Sequence, residues 1–328
     1  GTMESKYTRA MISLILTVRN EGASLPALLD SLLRQTRAPD EIIIVDGGSQ
    51  DDTMAVIERY QGRLPLRLFC EPGCNISRGR NLAIDNARGE LIAVTDAGVR
   101  LAPDWLQQLS DPLLAEPELV AVAGFFPADP QTIFELALGA TTLPLAGEID
   151  GRRFLPSSRS VAFRKDAWQA VGGYPEWLDH CEDLVFDLRL LQHGGPFVFA
   201  PQAVAHFRPR PSLPAFFRQY YLYARGDGLA GLWTKRHLVR YAAYLLALPL
   251  LLLARALLHP LWWLLLLPAG LACLARPLQR LRQLRSGKRW MLALPLLPLI
   301  RATGDLAKML GWPVGLWQRR SHPPPRWR

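Results

Sequence analysis

Short apolar runs alternate with segments of helical periodicity over the first hundred residues. Four of these runs have the length and β-branched content of buried strands, and they cover residues 11–18, 41–45, 66–69 and 91–95. The segments between them carry apolar residues at helical spacing, as in Leu25–Leu33. Strands that alternate with helices predict an α/β fold with a doubly wound, mostly parallel sheet.

Several predicted strands end in polar turns that carry an acidic residue. Glu21 follows the first strand, Asp46 the second and Asp96 the fourth. Open α/β sheets bind ligands outside the carboxyl ends of their parallel strands, so we expect these carboxylates at one edge of the sheet. A further acidic pair, Glu182 and Asp183, precedes a later predicted helix.

The middle third of the chain is less regular. An apolar segment at 131–145 is ambiguous in pattern. One interpretation is a helix that lines the ligand site on the side where a second substrate, the acceptor, would bind. The pattern predicts helices at 166–171 and 184–193 and short strands at 120–126, 161–163, 197–200 and 203–206.

Charge is distributed unevenly along the chain. Residues 1–206 contain 18 Lys and Arg against 27 Asp and Glu, whereas residues 207–328 contain 20 against 2. A uniformly basic nucleic-acid-binding protein would not divide in this way, so we expect no nucleic acid among the partners. An acidic region followed by a basic, apolar one predicts contact with an anionic membrane surface, with membrane lipids as partners.

Two apolar stretches lie in the basic part of the chain, at 241–258 and 261–275. At 1.5 Å per residue they extend about 27 and 22 Å, against about 30 Å of bilayer hydrocarbon. The first is long enough to span a membrane. For the second, a re-entrant hairpin is an alternative, and a buried helix pair is an alternative for both. Nearby tryptophans resemble an aromatic belt and favour the membrane: Trp262, Trp263, Trp290, Trp312 and Trp317.

These patterns divide the chain into four regions. Residues 1–210 are predicted to form the catalytic region, and residues 211–237 an amphipathic helix at the membrane interface. Residues 238–318 are predicted to form a membrane hairpin with interfacial helices, and residues 319–328 a basic, disordered tail. The cationic segment 276–289 is expected on the cytoplasmic side by the positive-inside rule. The N-terminus shows no secretory signal and the four cysteines fit no zinc spacing, so we expect the catalytic region in the cytoplasm.

Six sequence motifs occur in a fixed order over about residues 11–210. They are LTVRNE (16–21), IIIVDGGSQDDT (42–53), ISRGRNLAIDNARGE (76–90), AVTDAG (93–98), GGYPEWLDHCED (172–183) and a later His206. In this order and spacing the chain resembles the inverting family 2 glycosyltransferases of the GT-A fold. Its tail is similar to that of membrane-associated bacterial enzymes of the succinoglycan-glucosyltransferase type, which extend lipid-linked sugars.

The resemblance implies a nucleotide-sugar site and a metal site. Its donor contacts fall on Thr17, Arg19, Glu21, Asp46, Arg80 and Asp96. Asp96 corresponds to the first Asp of the family's Asp-x-Asp motif, in which Mn²⁺ or Mg²⁺ bridges the carboxylate and the two phosphates. Gly98 replaces the second Asp, and His206 is the candidate additional metal ligand. As isolated residues, Asp46 could equally cap a helix and Arg80 could form a surface salt bridge.

The same resemblance makes Asp183 the catalytic base. Inversion by direct displacement needs a carboxylate that takes the proton of the acceptor hydroxyl. Glu182 would orient the helix or the acceptor, although both residues could also be anions favoured by a helix N-terminus. The Gln-x-x-Arg-Trp motif of processive synthases is absent, which argues for the addition of a single sugar.

The implied function is inverting transfer of one sugar from a nucleotide-sugar, UDP-linked, to a lipid-linked saccharide acceptor. The reaction is expected at the cytoplasmic face of the inner membrane. One alternative is a polyisoprenyl phosphate acceptor, for which a base matters less because the phosphate is already ionised. Another is a non-catalytic member that only binds nucleotide-sugar or lipid, and the substitution at Gly98 motivates it.

Overall fold

A computed structural model describes residues 10–284 and 289–327 of the chain, apart from the Trp263 side chain. The described residues form two compact units. The first comprises residues 10–127 and 149–207 together with Trp327, and the second comprises residues 128–148 and 208–326. The second unit therefore includes the segment 128–148, which lies inside the region predicted to be catalytic.

The first unit is built on an eight-stranded sheet with the order β3-β2-β1-β4-β7-β6-β8-β5. β1, β2, β3 and β4 are parallel to one another, β7 is antiparallel to both of its neighbours, and β6 and β8 are parallel. The strands are β1 Ile12–Val18, β2 Glu41–Asp46, β3 Leu66–Cys70, β4 Leu91–Val94, β5 Val99–Leu101, β6 Ala121–Phe125, β7 Val161–Arg164 and β8 Phe197–Phe207.

Helices cover both faces of this sheet. Leu14 and Leu16 of β1 belong to one buried cluster, and Ile15 between them belongs to another. This alternation buries both faces of the strand, which is why its sequence reads as a continuous apolar run. The helices of this unit are α1 Leu25–Leu33, α2 Thr53–Tyr60, α3 Ile76–Asp85, α4 Trp105–Ala115, α6 Lys165–Ala170 and α7 Glu182–Gln192.

The predicted α/β sheet is confirmed, and three local elements differ from the sequence interpretation. Helix α3 begins at Ile76 because the Asn75 side chain accepts a hydrogen bond from the Arg78 amide, whereas the apolar periodicity starts later. The two strands predicted at 197–200 and 203–206 form one strand, β8. The sequence pattern is interrupted between them because Pro201 lies where the pairing register with β6 shifts. Strand β5 is only three residues long and was not predicted.

The second unit is helical in its described part. Its helices are α5 Ile133–Thr142, α8 Leu213–Ala230, α9 Thr234–Ala242, α10 Leu248–Leu257, α11 Leu266–Gln283, α12 Arg289–Ala293 and α13 Leu296–Ser321. A π-helical turn, Ala243–Ala247, joins α9 to α10, and 3₁₀ turns occur at Ala146–Glu148 and Pro260–Leu265. The ambiguous segment 131–145 is thus mainly helix α5.

Helices α8 and α13 pack backbone against backbone. A Cβ atom at Gly315 would lie 2.0 Å from the carbonyl oxygen of Arg225, so only glycine allows this approach. Helix α13 differs from the sequence interpretation, which ended the interfacial helices at residue 318 and predicted a disordered tail from residue 319. The helix continues through Pro313 to Ser321, and its contact with α8 provides the packing energy that local sequence does not reveal.

Two helical segments are long and apolar enough to cross a membrane. They are Thr234–Leu257 and Pro260–Gln283, with mean hydropathies of 1.7 and 1.6. Leu250 is 62% exposed and Leu271 is 66% exposed. Since so little of either segment is buried within the protein, the alternative of a buried helix pair is disfavoured. The segments are consistent with a membrane-associated helical region.

Charges placed on these exposed leucines should release the chain from membranes. Each aspartate at the centre of a spanning helix costs about 2.5–3.5 kcal/mol of insertion free energy. We expect the wild-type chain to stay in the membrane pellet after alkaline carbonate extraction and the double variant Leu250→Asp, Leu271→Asp to move largely to the supernatant. The same change at Leu114, an exposed position on α4, should leave the chain in the pellet. Extraction of the wild-type chain would contradict the membrane assignment.

Candidate active site

The loops that follow β1 and β2 are joined by hydrogen bonds. Asn20 has a left-handed backbone with φ of 57°, and its amide donates to the Ser49 hydroxyl at 2.8 Å. The Asn20 side-chain oxygen accepts from the amide of Gln50 at 2.8 Å, and the Glu21 amide donates to the Thr53 hydroxyl at 2.8 Å. These contacts fix one polar surface at the carboxyl ends of the two strands, where the nucleotide contacts were predicted.

Three of the six predicted contacts with the nucleotide-sugar, Arg19, Glu21 and Asp46, lie on this surface. The buried carboxylate of Asp46 accepts hydrogen bonds of 3.0 Å from the Gly48 and Ser49 amides, and it also accepts the Ser49 hydroxyl. Asp46 therefore holds its own loop in shape, as the capping alternative proposed, although for this loop and not for a helix. Glu21 accepts a hydrogen bond from the Ser24 hydroxyl in the same way. Arg19 is exposed.

Thr17 and helix α3 are in close contact. Thr17 is half-buried, and a Cβ atom at Gly79 would lie 2.7 Å from its methyl carbon. Glycine at position 79 therefore lets α3 lie against β1. This close packing positions the next residue of α3, Arg80, beneath the carboxyl ends of the strands.

Arg80 connects two of the predicted site residues. Its side chain is 2% exposed, and its guanidinium donates to Glu182 Oε1 at 2.7 Å and to Asp96 Oδ1 at 3.0 Å. The ring of Tyr174 lies 5.3 Å from the guanidinium carbon. We call Asp96, Arg80 and Glu182 the ion triad. It joins the end of β4 to the start of α7 across about a hundred residues of sequence, and it replaces the surface salt bridge considered for Arg80.

Helix α3 also anchors the loop that leads into α7. The Asn81 amide group donates to the carbonyl oxygen of Tyr174 at 2.9 Å, and its side-chain oxygen accepts from the Tyr174 amide at 2.9 Å. Asn75 donates to the carbonyl oxygen of Glu176 at 2.7 Å, and Ser77 to that of Leu178 at 3.2 Å. Asn81 and Tyr174 lie within the quoted motifs, but the sequence analysis did not assign them a role.

Helix α7 begins with three carboxylates in two turns. Burial, followed by the charge of Asp183, raises the pKa of Glu182 to about 7, although the contact with Arg80 opposes the rise. Burial and the charge of Asp183 also raise the pKa of Asp187 well above its usual range. Asp183 is half-buried and therefore more accessible than its two neighbours. One of its oxygens accepts from the Leu184 amide at 2.9 Å.

The raised pKa of Glu182 should make stability depend on pH. The unfolded carboxyl loses its proton near its ordinary pKa of 4.5 and the folded one near 7, so folding is disfavoured progressively as pH rises through this window. We expect the unfolding midpoint of wild type in detergent to fall between pH 5 and 8. Glu182→Gln removes this group, so the midpoint of the variant should fall less. Equal slopes in both proteins would show that Glu182 titrates normally.

The predicted metal ligands occupy neighbouring structural elements. Asp96 follows β4 and is about one-third exposed, and the next strand, β5, pairs Arg100 with His206 of β8. Among the described residues, no group of three or more His, Cys, Asp or Glu could hold a metal ion. A Cβ atom at Gly98 would meet no atom within 4 Å. The protein thus offers few metal ligands of its own, beside open space.

Comparison with known families covers most of the chain. The model of Glycosyl transferase family 2 matches residues 13–154, and that of Glycosyl transferase family group 2 matches residues 146–302. Succinoglycan biosynthesis protein ExoA of Rhizobium meliloti is 28% identical over 65% of this chain and 68% of its own length. O-antigen chain rhamnosyltransferase RfbN of Salmonella typhimurium is 23% identical over 63% of this chain and 70% of its own length.

Solved structures support the same fold. Mannosyltransferase PcManGT from Pyrobaculum calidifontis, in complex with GDP-Man and Mn²⁺, has a TM-score of 0.55 at 19% identity, over 96% of this chain and 88% of that one. S. aureus TarS 1–349 in complex with UDP-GlcNAc has a TM-score of 0.52 at 17% identity, over 95% of this chain and 92% of that one. Together with the sheet order, these likenesses identify a GT-A fold.

Proposed function

This chain belongs to glycosyltransferase family 2, and from that premise we propose that it transfers a single sugar from a nucleotide-sugar, UDP-linked, to a lipid-linked saccharide with inversion at the anomeric carbon. One observation carries the proposal, namely the ion triad. Arg80 brings Asp96, on the donor side of the sheet, next to the helix start that carries Glu182 and Asp183. A proposed donor-binding carboxylate and the residue next to the proposed base therefore share one buried cation.

Asp183 is the proposed general base. It would accept the proton of the acceptor hydroxyl while that oxygen bonds to the anomeric carbon and the bond from this carbon to the nucleoside diphosphate breaks. Asp183 suits this role because it is the more accessible carboxylate of the pair. Glu182 is committed to Arg80 and acts as a positioning residue that fixes the first turn of α7.

Arg80 is assigned a positioning role in the resting protein. Its guanidinium already donates to two carboxylates and its side chain is only 2% exposed, so direct bidentate binding of a diphosphate would require these contacts to rearrange. Breaking buried ion pairs is costly. The diphosphate would instead lie near Asp96, which could hold it only through a divalent cation, and Thr17, Arg19, Glu21 and Asp46 would shape the nucleoside side of the site.

A divalent cation fits this site only as part of a complex with the donor. Mg²⁺ commonly takes one or two protein carboxylates and completes its shell with substrate phosphates and water, which Asp96 and open space at Gly98 allow. His206 is the proposed further ligand and would favour Mn²⁺. When bound, the ion would offset the charge that develops on the leaving diphosphate. The Mn²⁺ in PcManGT supports this assignment.

Restoring the missing carboxylate should strengthen metal binding. Gly98→Asp adds an oxygen ligand at a position with free space around it. We expect Mn²⁺ to bind about tenfold more tightly in the presence of UDP, measured by electron paramagnetic resonance, and Asp96→Asn to abolish UDP-dependent Mn²⁺ binding. Gly147→Asp, a second open glycine, is the matched control and should leave Mn²⁺ affinity unchanged. If Gly98→Asp behaves like this control, the metal does not bind beside Asp96.

The acceptor and the location are proposed together. The two apolar helical segments and the basic C-terminal region, residues 207–328, support residence at the inner membrane, with the first unit in the cytoplasm. The names of the relatives, succinoglycan biosynthesis and O-antigen chain rhamnosyltransferase, support a polysaccharide precursor as acceptor. Polyisoprenyl phosphate remains the second candidate, and the basic character of the membrane-associated unit favours it.

A donor and acceptor survey tests the proposal. Purified full-length chain would be incubated with each UDP- and GDP-sugar, with and without a bacterial lipid extract, and released nucleotide and labelled lipid would be measured separately. We expect lipid-dependent release from one UDP-sugar with equal incorporation into lipid. Nucleotide release that does not depend on lipid would indicate hydrolysis of the donor. Saturable nucleotide-sugar binding without nucleotide release would indicate the non-catalytic alternative.

A further inference from the structure

A group of polar side chains lies where α9 and the π-helical turn contact α13. Its members are Arg240, Tyr244, Arg301, Asp305 and Lys308, which we call the basic cluster. Asp305 lies at its centre and accepts from Arg240 Nε at 2.8 Å and from the Tyr244 hydroxyl at 3.0 Å. Arg301 pairs with the same carboxylate at 3.3 Å. All five residues belong to the second unit.

Positive charge exceeds negative charge in this cluster. Arg240, Arg301 and Lys308 surround the single carboxylate of Asp305, which is 8% exposed. In the described part of the chain no carboxylate pairs with Lys308, whose ammonium group lies 5.0 Å from the centroid of the Tyr220 ring. Burial, and then the nearby charge of Arg240 and Arg301, lowers the pKa of Lys308 to about 8, despite Asp305 and Asp227.

The Arg240 side chain of the basic cluster is held in place by contacts with neighbouring residues. Arg240 lies 3.2 Å from Nδ1 of His237, and Nε2 of His237 lies 3.1 Å from a carboxylate oxygen of Asp227. The buried His237 ring is stacked on Trp312 with a centroid distance of 5.1 Å. Asp227 is thus already engaged by His237. A half-buried cationic group with fixed side chains and an interrupted helix has the features of a binding site for an anion.

Apolar surface is continuous in sequence with this cluster. Tyr244 belongs to a π-helical turn that also carries Leu245 and Leu246, which are 59% and 61% exposed. The whole turn lies in the first candidate membrane segment, Thr234–Leu257. A soluble anion would use the cations alone, whereas an amphiphile would use the cations and the leucines.

We propose that the basic cluster binds the phosphate of a membrane lipid, with the hydrocarbon chain along Leu245 and Leu246 of the π-helical turn. The inference rests on the proposed function in one respect, because the lipid would be the carrier of the acceptor. Arg301 and Lys308 are the phosphate ligands, since Arg240 is held by both Asp305 and His237, whereas Arg301 is 45% exposed and contacts Asp305 at the longer distance. A guanidinium and an ammonium two turns apart on one helix suit a phosphate oxyanion.

Binding can be measured without any transfer reaction. The full-length chain in a neutral detergent would be titrated with farnesyl phosphate, with farnesol as the tail alone and with inorganic phosphate as the head group alone. We expect saturable binding of farnesyl phosphate and at least hundredfold weaker binding of the other two. Inorganic phosphate that binds as tightly as farnesyl phosphate would overturn the lipid assignment, and farnesol that does so would overturn the phosphate assignment.

Variants assign the binding to the cluster. Lys308→Met keeps the length of the side chain and breaks no ion pair among the described residues, so it should fold normally and bind farnesyl phosphate at least tenfold more weakly. Arg301→Gln should weaken binding several-fold. Arg282→Gln removes the same charge from an exposed position on α11 and should stay within twofold of wild type.

Two results would overturn the site. One is wild-type affinity in Lys308→Met, and the other is an equal loss in Arg282→Gln, which would show a bulk charge effect. UDP binding to each variant is the control for the proposed function. Intact lipid binding without sugar transfer would refute the proposed reaction and leave this site standing, whereas transfer by the wild-type chain without farnesyl phosphate binding would refute the site alone.

Discussion

Asp183→Asn is expected to stop sugar transfer without stopping donor binding. The substitution keeps the shape of the side chain and removes the proton acceptor. Loss of a general base typically lowers a rate by about 10²–10⁴, or about 3–5 kcal/mol of barrier. The proposed nucleotide contacts are mainly at the ends of β1 and β2 and do not include Asp183, so UDP affinity should stay within about threefold. Turnover and UDP binding, measured on the same preparation, check this prediction.

Glu182→Gln is the comparison for this variant. The glutamine can still accept a hydrogen bond from Arg80, so we expect a milder loss of turnover than in Asp183→Asn. If the Glu182→Gln variant were inactive and the Asp183→Asn variant active, Glu182 would be the base and Asp183 the positioning residue. Full activity in both would mean that the acceptor is already an anion, such as a polyisoprenyl phosphate, and that no protein base is needed.

Arg80→Met should strongly destabilise the first unit. It removes the only cation of the ion triad and leaves the buried Glu182 carboxylate without its partner. Breaking a buried ion pair from one side typically costs about 3–5 kcal/mol. We expect a large drop in the unfolding midpoint in detergent and loss of sugar transfer, because the start of α7 is no longer tied to the end of β4.

Two further experiments distinguish the effect of the lost charge from the effect of the lost packing. Adding Glu182→Gln to Arg80→Met removes the unpaired buried charge and should restore part of the lost stability. Lowering the pH to 5.5 should do the same for Arg80→Met alone, since protonation neutralises Glu182. If neither change restores stability, Arg80 acts through its packing against Tyr174 and not through the ion triad.

The strands and the acidic turns could be predicted from sequence for a physical reason. Strands buried on both faces are mainly apolar runs, and β1, β2 and β4 follow this rule apart from Ser13 and Thr17 in β1 and the two terminal residues of β2. Asp96 and Asp183 became candidates because each lies in a motif of fixed spacing, and their roles stay predictions. Local pattern therefore sufficed for the parallel half of the sheet.

Long-range contacts account for most of what sequence did not reveal. The ion triad joins residues that are 102 positions apart, and no local pattern marks Arg80 as buried. Strand β7 enters the sheet antiparallel between β4 and β6, which depends on pairings distant in sequence. Helix α13 contains Pro298 and Pro313, and proline disfavours a helix interior. The length of this helix therefore depends on its packing against α8, which local sequence does not reveal.

The configuration of the product tests the central proposal most directly. The sugar-lipid formed from the active donor would be isolated, and the anomeric configuration of the new bond compared with that of the donor by nuclear magnetic resonance. Direct displacement assisted by Asp183 predicts a single added sugar with inverted configuration, formed by wild type and not by Asp183→Asn. A product with retained configuration, or one formed equally well by Asp183→Asn, would contradict the proposed mechanism.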